Sequence, residues 1–196
     1  ESMLRVILIP ILLPMLCLGK TINVCSSCHF TSIQKAISEA DSADVIIVQA
    51  GTYREHDIII DRPMKVMAKG NAVIDGEKKS HIVQIKSDHV TLSGFTLKNV
   101  GISFTKDLAA IIIDHSRHFR VENCTLEAAF FGIKVEKSSY VLVQNNVISS
   151  QGTNETTSGN GIHLWHCAHV NVVANHVFKM RDGIYFEFVK ESSVTE

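Results

Sequence analysis

The chain has 196 residues, with 19 Lys and Arg against 20 Asp and Glu and a formal net charge of −1. That balance excludes a global electrostatic pull toward nucleic acid, so no nucleic-acid partner is expected. The length is enough to bury a sizeable core in one domain, and the 45% hydrophobic fraction is raised by the N-terminus.

After Met3 and Arg5 an apolar run from Val6 to Leu18 leads into Cys17-Leu18-Gly19, a small-x-small pattern suited to cleavage before Lys20. Residues 1–19 are therefore expected to be a signal peptide, and the mature protein to be exported. The run is short for a membrane span and holds Pro10 and Pro14. Pro14-Met15-Leu16 is a poor match to the small residues that precede a lipidated cysteine. Glu1 and Ser2 precede a plausible start methionine and the chain stops within a repeat, the pattern expected of a fragment.

Residues 20–80 read as an N-terminal cap and first coils. Thr31-Ser32-Ile33-Gln34 offers a capping box, a hydroxyl with Gln three residues later. Ile33, Ala36, Ile37 and Ala40 then follow at helical spacing, so a short amphipathic helix is expected to plug the end of a coil. Val45-Ile46-Ile47-Val48 has the pattern of a fully buried strand, Gly51-Thr52-Tyr53 reads as a turn, Ile58-Ile59-Ile60 as a second strand ended by Pro63, and Val73-Ile74-Asp75-Gly76 as another turn. Val83/Ile85 with Val90/Leu92 begin an early, less regular coil.

From residue 81 to 196 the sequence repeats itself. Ile111, Ile133, Ile162 and Ile184 open successive copies at steps of 22, 29 and 22 residues. The same offsets carry Ile113/Val135/Leu164, Phe119/Val141/Val170 and Val121/Val143/Val172. Alternation at period two is strand spacing, and self-similarity at this length means stacked units that bury their apolar faces only against each other. The long step is a polar insertion, Ser150 to Ser158, expected to loop out. Gly132, Gly161 and Gly183 precede one strand, and Asn145-Asn146 and Ala174-Asn175 follow another, as expected for sharp corners. The fold class is a parallel β-helix, because the leucine consensus and helical segment of a leucine-rich repeat are absent.

The order of helix, buried strand, Gly51-Thr52-Tyr53, isoleucine strand and Ile74-Asp75-Gly76 resembles the cap of pectin-lyase-like right-handed β-helix proteins. Three strings, Tyr53 to Asp61, Gly159-Asn160-Gly161-Ile162-His163-Leu164-Trp165, and Arg181 to Phe188, are similar to the NosD family of nitrous-oxide-reductase maturation proteins. This resemblance covers about Thr31 onward. It implies a right-handed coil and a periplasmic, non-enzymatic protein that helps supply copper to nitrous oxide reductase, working with a membrane ABC-type complex and with the reductase or a copper carrier. It implies no catalytic residue.

Candidate sites come from the residues themselves. Cys25-Ser26-Ser27-Cys28-His29 matches the string of c-type haem attachment, but no haem domain surrounds it. The same thiolates suit Cu(I), a soft ion, and in an oxidising compartment they suit a disulfide. His163, His166 and His169 recur every three residues across a corner, either as surface histidines or as copper ligands, and their directions are expected to diverge. His115, Lys137 and His166 share one column, and His118, Tyr140 and His169 another. Cys167, in register with Ser116 and Ser138, reads as a small inward corner residue. Cys124, in register with Asn146 and Asn175, reads as part of a turn ladder of stacked asparagines. Asp114, Glu136, Trp165 and Glu187 form an outward column, with Trp165 offering a sugar platform or partner contact. A polysaccharide lyase or glycoside hydrolase on this fold needs paired acids or a placed base. Trp165 interrupts the acidic column and no basic residue is clearly placed.

Overall fold

The computed structural model describes residues 19–103, 105–127, 130–150 and 158–196. The expected signal segment, Gly19 apart, and most of the polar insertion lie outside them. The chain opens with β1 (Thr21–Val24), α1 (Ile33–Ser38) and the long strand β2 (Val45–Arg54), then β3 (Ile58–Ile60) and the long strand β4 (Lys65–Asp75). Short strands follow: β5 (Val83–Ile85), β6 (Thr91–Ser93) and β7 (Thr96–Lys98), then β8 (Ala109–Asp114), β9 (Arg120–Glu122) and β10 (Thr125–Glu127). After them come β11 (Phe131–Glu136), β12 (Ser139–Gln144) and β13 (Val147–Ser149), β14 (Ile162–Trp165), β15 (Ala168–Val173) and β16 (His176–Phe178), and finally β17 (Ile184–Glu187) and β18 (Ser193–Thr195).

Every pairing is parallel and joins one coil to the next, giving a right-handed solenoid of about seven turns. It has three faces. One six-stranded sheet, β17-β14-β11-β8-β5-β3, forms the first. The other two belong to one continuous sheet, because β4 pairs with β6 through Lys65–Met67 and with β7 through Val73–Asp75. The predicted registers appear as read: Ile111, Ile133, Ile162 and Ile184 are successive partners, as are Val121, Val143 and Val172. These columns are closed to solvent except at the final coil. Each fully buried aliphatic contributes about 1.5–3 kcal/mol.

Several local expectations change. Of Val45 to Val48 only Ile46 and Val48 are buried, since each strand has one face inside and one outside. Gly51-Thr52-Tyr53 is no turn; it lies within β2, where the register with β4 shifts between Gln49 and Gly51 and the strand bends from one face onto the next. Asp75 likewise ends β4 rather than sitting in a turn. The helix is capped by Ser32, whose hydroxyl accepts from Lys35 N. Gln34 does not close a capping box, because its carboxamide oxygen accepts from Ile59 N at 2.6 Å. Glu55 takes that role from the following loop, its carboxylate accepting from Ile33 N at 2.8 Å, Gln34 N at 3.0 Å and Ser32 Oγ at 3.0 Å. Ile33, Ala36 and Ile37 are buried as the spacing predicts.

The corners divide their work by residue type. Asn123, Asn145 and Ala174 have φ of 56°, 54° and 50°, and the preceding coil meets the same position with Gly94 at 83°. Gly132 and Gly161 serve a different need, close approach of coils: a Cβ on Gly132 would stand 2.3 Å from Gly161 O, and one on Gly161 would stand 2.6 Å from Gly183 O.

Candidate functional site

Cys25 and Cys28 are joined in a disulfide, with Cα atoms 5.0 Å apart. In that state the pair offers neither thiolates for copper nor thiols for haem, and His29 stands exposed beside it against the edge of Phe30. The turn carries its own backbone bonds, Cys28 N to Cys25 O and Cys25 N to Phe30 O. The three histidines of the repeat keep three separate sets of neighbours. His163 lies near Phe131 and edge-on to Tyr185. His166 stacks on Phe188. His169 stacks on Tyr140 and pairs with Glu191 at 3.0 Å. Among the described residues no group of three or more His, Cys, Asp or Glu side chains is arranged to hold a metal ion.

The remaining cysteines are interior. Burial pushes the Cys124 thiol up to about 12 and raises that of Cys167, so neither is poised as a thiolate. Asparagines bond along the axis beside Cys124: Asn146 Oδ1 accepts from Cys124 N at 2.9 Å, and Asn175 Oδ1 accepts from Asn146 N at 3.0 Å.

Two outward features are built by the register. The first is a ladder of rings. His89, His118, Tyr140 and His169 occupy one left-handed corner on successive coils. Their rings stack at 4.9, 4.7 and 4.6 Å, within 10° of parallel. Beside the ladder runs an open groove of about 540 Å³, lined also by Arg120, Leu142 and Asn171. The coil spacing of the backbone sets that repeat, so the faces are spent on one another and the ring edges point outward.

The second is a cleft of about 270 Å³ on the six-stranded face, lined by Asp107, Lys134, Glu136, His163, Trp165 and Glu187. Lys134 and Glu136 are two residues apart on β11 and share its outer side; the pairing sets His163 and Trp165 of β14 beside them, then Tyr185 and Glu187 of β17. Asp107 reaches over from the loop before β8. Lys134 is only 9% exposed, and its ammonium donates to Asp107 and to Glu136 at 2.8 Å each. Burial pushes the Lys134 ammonium down, but those two hydrogen bonds together with the charges of Glu136 and Asp107 more than reverse it, so it stays charged with a raised value. Burial and the neighbouring Lys134 hold His163 below the ordinary imidazole value, and its Nε2 is buried without a hydrogen-bond partner among the described residues. No basic residue is clearly placed beside the acidic column by the sequence alone; Lys134 stands there, but as a charged ammonium bonded to two carboxylates it is not a free base. Trp165, expected to be exposed, is half-buried, with the Lys137 ammonium 5.2 Å from its ring centre.

A parallel coil with outward polar columns defines the class, and residues 80–195 match the family described as "Right handed beta helix region", to which the chain belongs. Within that class the sequence is NosD-like. Over 136 residues, 68% of this chain, it is 31% identical to the "Probable ABC transporter binding protein NosD" of Stutzerimonas stutzeri and 28% identical to the protein of the same name from Pseudomonas aeruginosa. The match spans about a third of those relatives, 31% and 32% of their lengths. Among solved structures the catalytic domain of a GH87 α-1,3-glucanase in complex with nigerose aligns at a TM-score of 0.63, with 16% identity over 90% of this chain and 32% of that one. A rhamnogalacturonan lyase aligns at 0.55, with 12% identity over 88% and 62%. At these identities the likeness is one of fold. No helix among the described residues is long and apolar enough to cross a membrane.

Proposed function

We propose that the chain is an exported, non-enzymatic accessory protein that works with an ATP-driven membrane transporter in maturing the copper sites of nitrous oxide reductase. The observation that carries this reading is the likeness to two NosD proteins, each named a "Probable ABC transporter binding protein". The periplasm is the compartment it requires, and the Cys25–Cys28 disulfide suits an oxidising one. Non-enzymatic action is supported by the cleft, where Asp107 and Glu136 are both engaged by Lys134 instead of standing free as acid and base. Copper enters as cargo. Reduction of the disulfide by a dithiol donor, which delivers two electrons and two protons and is itself left as a disulfide, frees two soft sulfur ligands three residues apart with His29 adjacent, and these are the residues proposed to take Cu(I); His163, His166 and His169 stay outside the proposed site.

The test is an anaerobic Cu(I) titration of the reduced protein against a competing chelator, beside a Cys25→Ser/Cys28→Ser variant, with co-purification of the protein on a detergent-solubilised ABC complex from a denitrifying bacterium. Binding lost in the variant supports direct delivery. Co-purification without copper binding reduces the role to docking, and failure of both overturns the reading. A second reading, a carbohydrate-binding β-helix, draws on the half-exposed Trp165 in its acidic cleft; saturable binding of an oligosaccharide would favour it.

A further inference from the structure

We infer that the cleft on the six-stranded face binds an organic cation, an alkylammonium or guanidinium group held between the indole of Trp165 and the carboxylate of Glu187. The inference does not rest on the copper reading.

Charge comes first. Three carboxylates, Asp107, Glu136 and Glu187, face the ammonium of Lys134, and Lys137 adds a second ammonium over the Trp165 ring, so the cleft and its rim keep a net charge of −1 with His163 neutral. Burial keeps His163 from compensating, since it disfavours the imidazolium. The cations already present are unevenly spread. Lys134 satisfies Asp107 and Glu136 together. The carboxylate of Glu187, half-buried, carries no hydrogen bond or ion pair among the described residues, while its backbone oxygen accepts from His166 N at 2.9 Å.

Geometry then selects the ligand. The register runs Glu136, Trp165, Glu187 on successive coils. Glu136 and Glu187 therefore stand two coil spacings apart, roughly 10 Å. They cannot share one small metal ion, whose oxygen ligands lie about 2.0–2.6 Å from it. Between them stands an indole, the side chain that attracts cations most strongly through its ring face. The protein itself uses it so: Lys137, from the coil of Glu136, holds its ammonium 5.2 Å from the Trp165 ring centre. Glu187 comes from the coil on the other side, so a ligand cation there meets the aromatic ring and an unpaired carboxylate together. A neutral sugar makes no use of the excess charge, and an anion is repelled by it.

Trp165 is the chain's single tryptophan, so its fluorescence reports on this cleft alone. The full chain is titrated at low salt with choline and with agmatine, beside the uncharged isostere 3,3-dimethylbutanol and the disaccharide nigerose. A saturable response to a cation, absent for the isostere and weakened about tenfold in Glu187→Gln, is expected from loss of one charge-assisted contact. The Glu187 carboxylate has no hydrogen-bond or ion-pair partner among the described residues, so that variant keeps the wild-type circular dichroism spectrum. A Gly-Gly-Arg-Gly-Gly peptide matching agmatine would identify the source as a side chain on a partner protein; much weaker peptide binding would identify a free small cation. No saturable response to either cation, an equal response to the isostere or to nigerose, or unchanged cation affinity in Glu187→Gln overturns the inference.

Discussion

Asn146 is fully buried and ties its own coil to both neighbouring coils. Its side-chain oxygen accepts from Cys124 N at 2.9 Å, its amide donates to Val121 O at 3.0 Å and to Asn175 Oδ1 at 2.9 Å, and its backbone N–H donates to the same Asn175 oxygen. Leaving a buried backbone donor or acceptor unmade costs about 1–3 kcal/mol. Asn146→Ala strands Cys124 N and Val121 O together, so urea unfolding should show a loss of roughly 2–4 kcal/mol. Asn145→Gly, one residue earlier at a φ of 54°, should be close to neutral, because glycine accepts that conformation freely. A small effect of Asn146→Ala would mean the ladder is incidental to stability. The asparagine ladder was legible because repeats align equivalent residues. What the letters left hidden was which of two adjacent asparagines turns inward, a matter of corner geometry rather than residue type.

At the scale of elements, the cap shows why the local sequence misled. Thr31 and Gln34 satisfy a capping pattern on their own, yet the helix begins one residue later and is closed by Glu55, 22 residues beyond Ile33. Spacing rules see near neighbours only. Because the carboxylate accepts three charge-assisted bonds, Glu55→Gln should cost about 1–2 kcal/mol and fray α1 first; amide exchange of Ile33 and Gln34 reads this directly, and unchanged protection there would refute the assignment. The six-stranded face has its own signature. Burial dominates in holding His81 and His163 below the ordinary imidazole value of about 6.5. For a depressed group the stability is complete above the unfolded value and is lost as pH falls toward the folded one, because the unfolded chain binds the proton first. The melting temperature should therefore decline as pH is lowered from 7 to 5, and a His81→Gln/His163→Gln double variant should show a flatter decline. Equal slopes would show that other groups govern the acid limb. Lys134 was readable from its period-two spacing to Glu136, whereas Asp107, arriving from a loop of the previous coil, had no signal in the repeat.

Across the whole molecule the repeat converts one-dimensional register into three-dimensional order. Each coil touches only its neighbours, so stability accumulates along the axis and local opening depends on how many neighbours a coil has. The coils from β8 to β12 have neighbours on both sides, and their interior residues Ile111, Ile113, Phe119, Ile133, Val135 and Val143 are closed to solvent. In β17 and β18, over which no further coil of this chain is stacked among the described residues, the equivalent positions are more exposed: Ile184 and Phe186 are each 37% exposed and Val194 51%. The other end differs, because α1 lies over the first coils and buries Ile33, Ala36 and Ile37 against them. Amide hydrogen exchange should accordingly give a lopsided profile, with protection highest from β8 to β12, retained toward β2 under the helix, and falling stepwise through β15 to β18. The step between β12 and β15 is the decisive one, since those strands share the same face, register and interior valines and differ chiefly in how many coils of this chain are stacked beyond them. Uniform protection along the axis would mean that the chain unfolds as a single cooperative unit, and that coupling between coils outweighs the difference in their own stabilities.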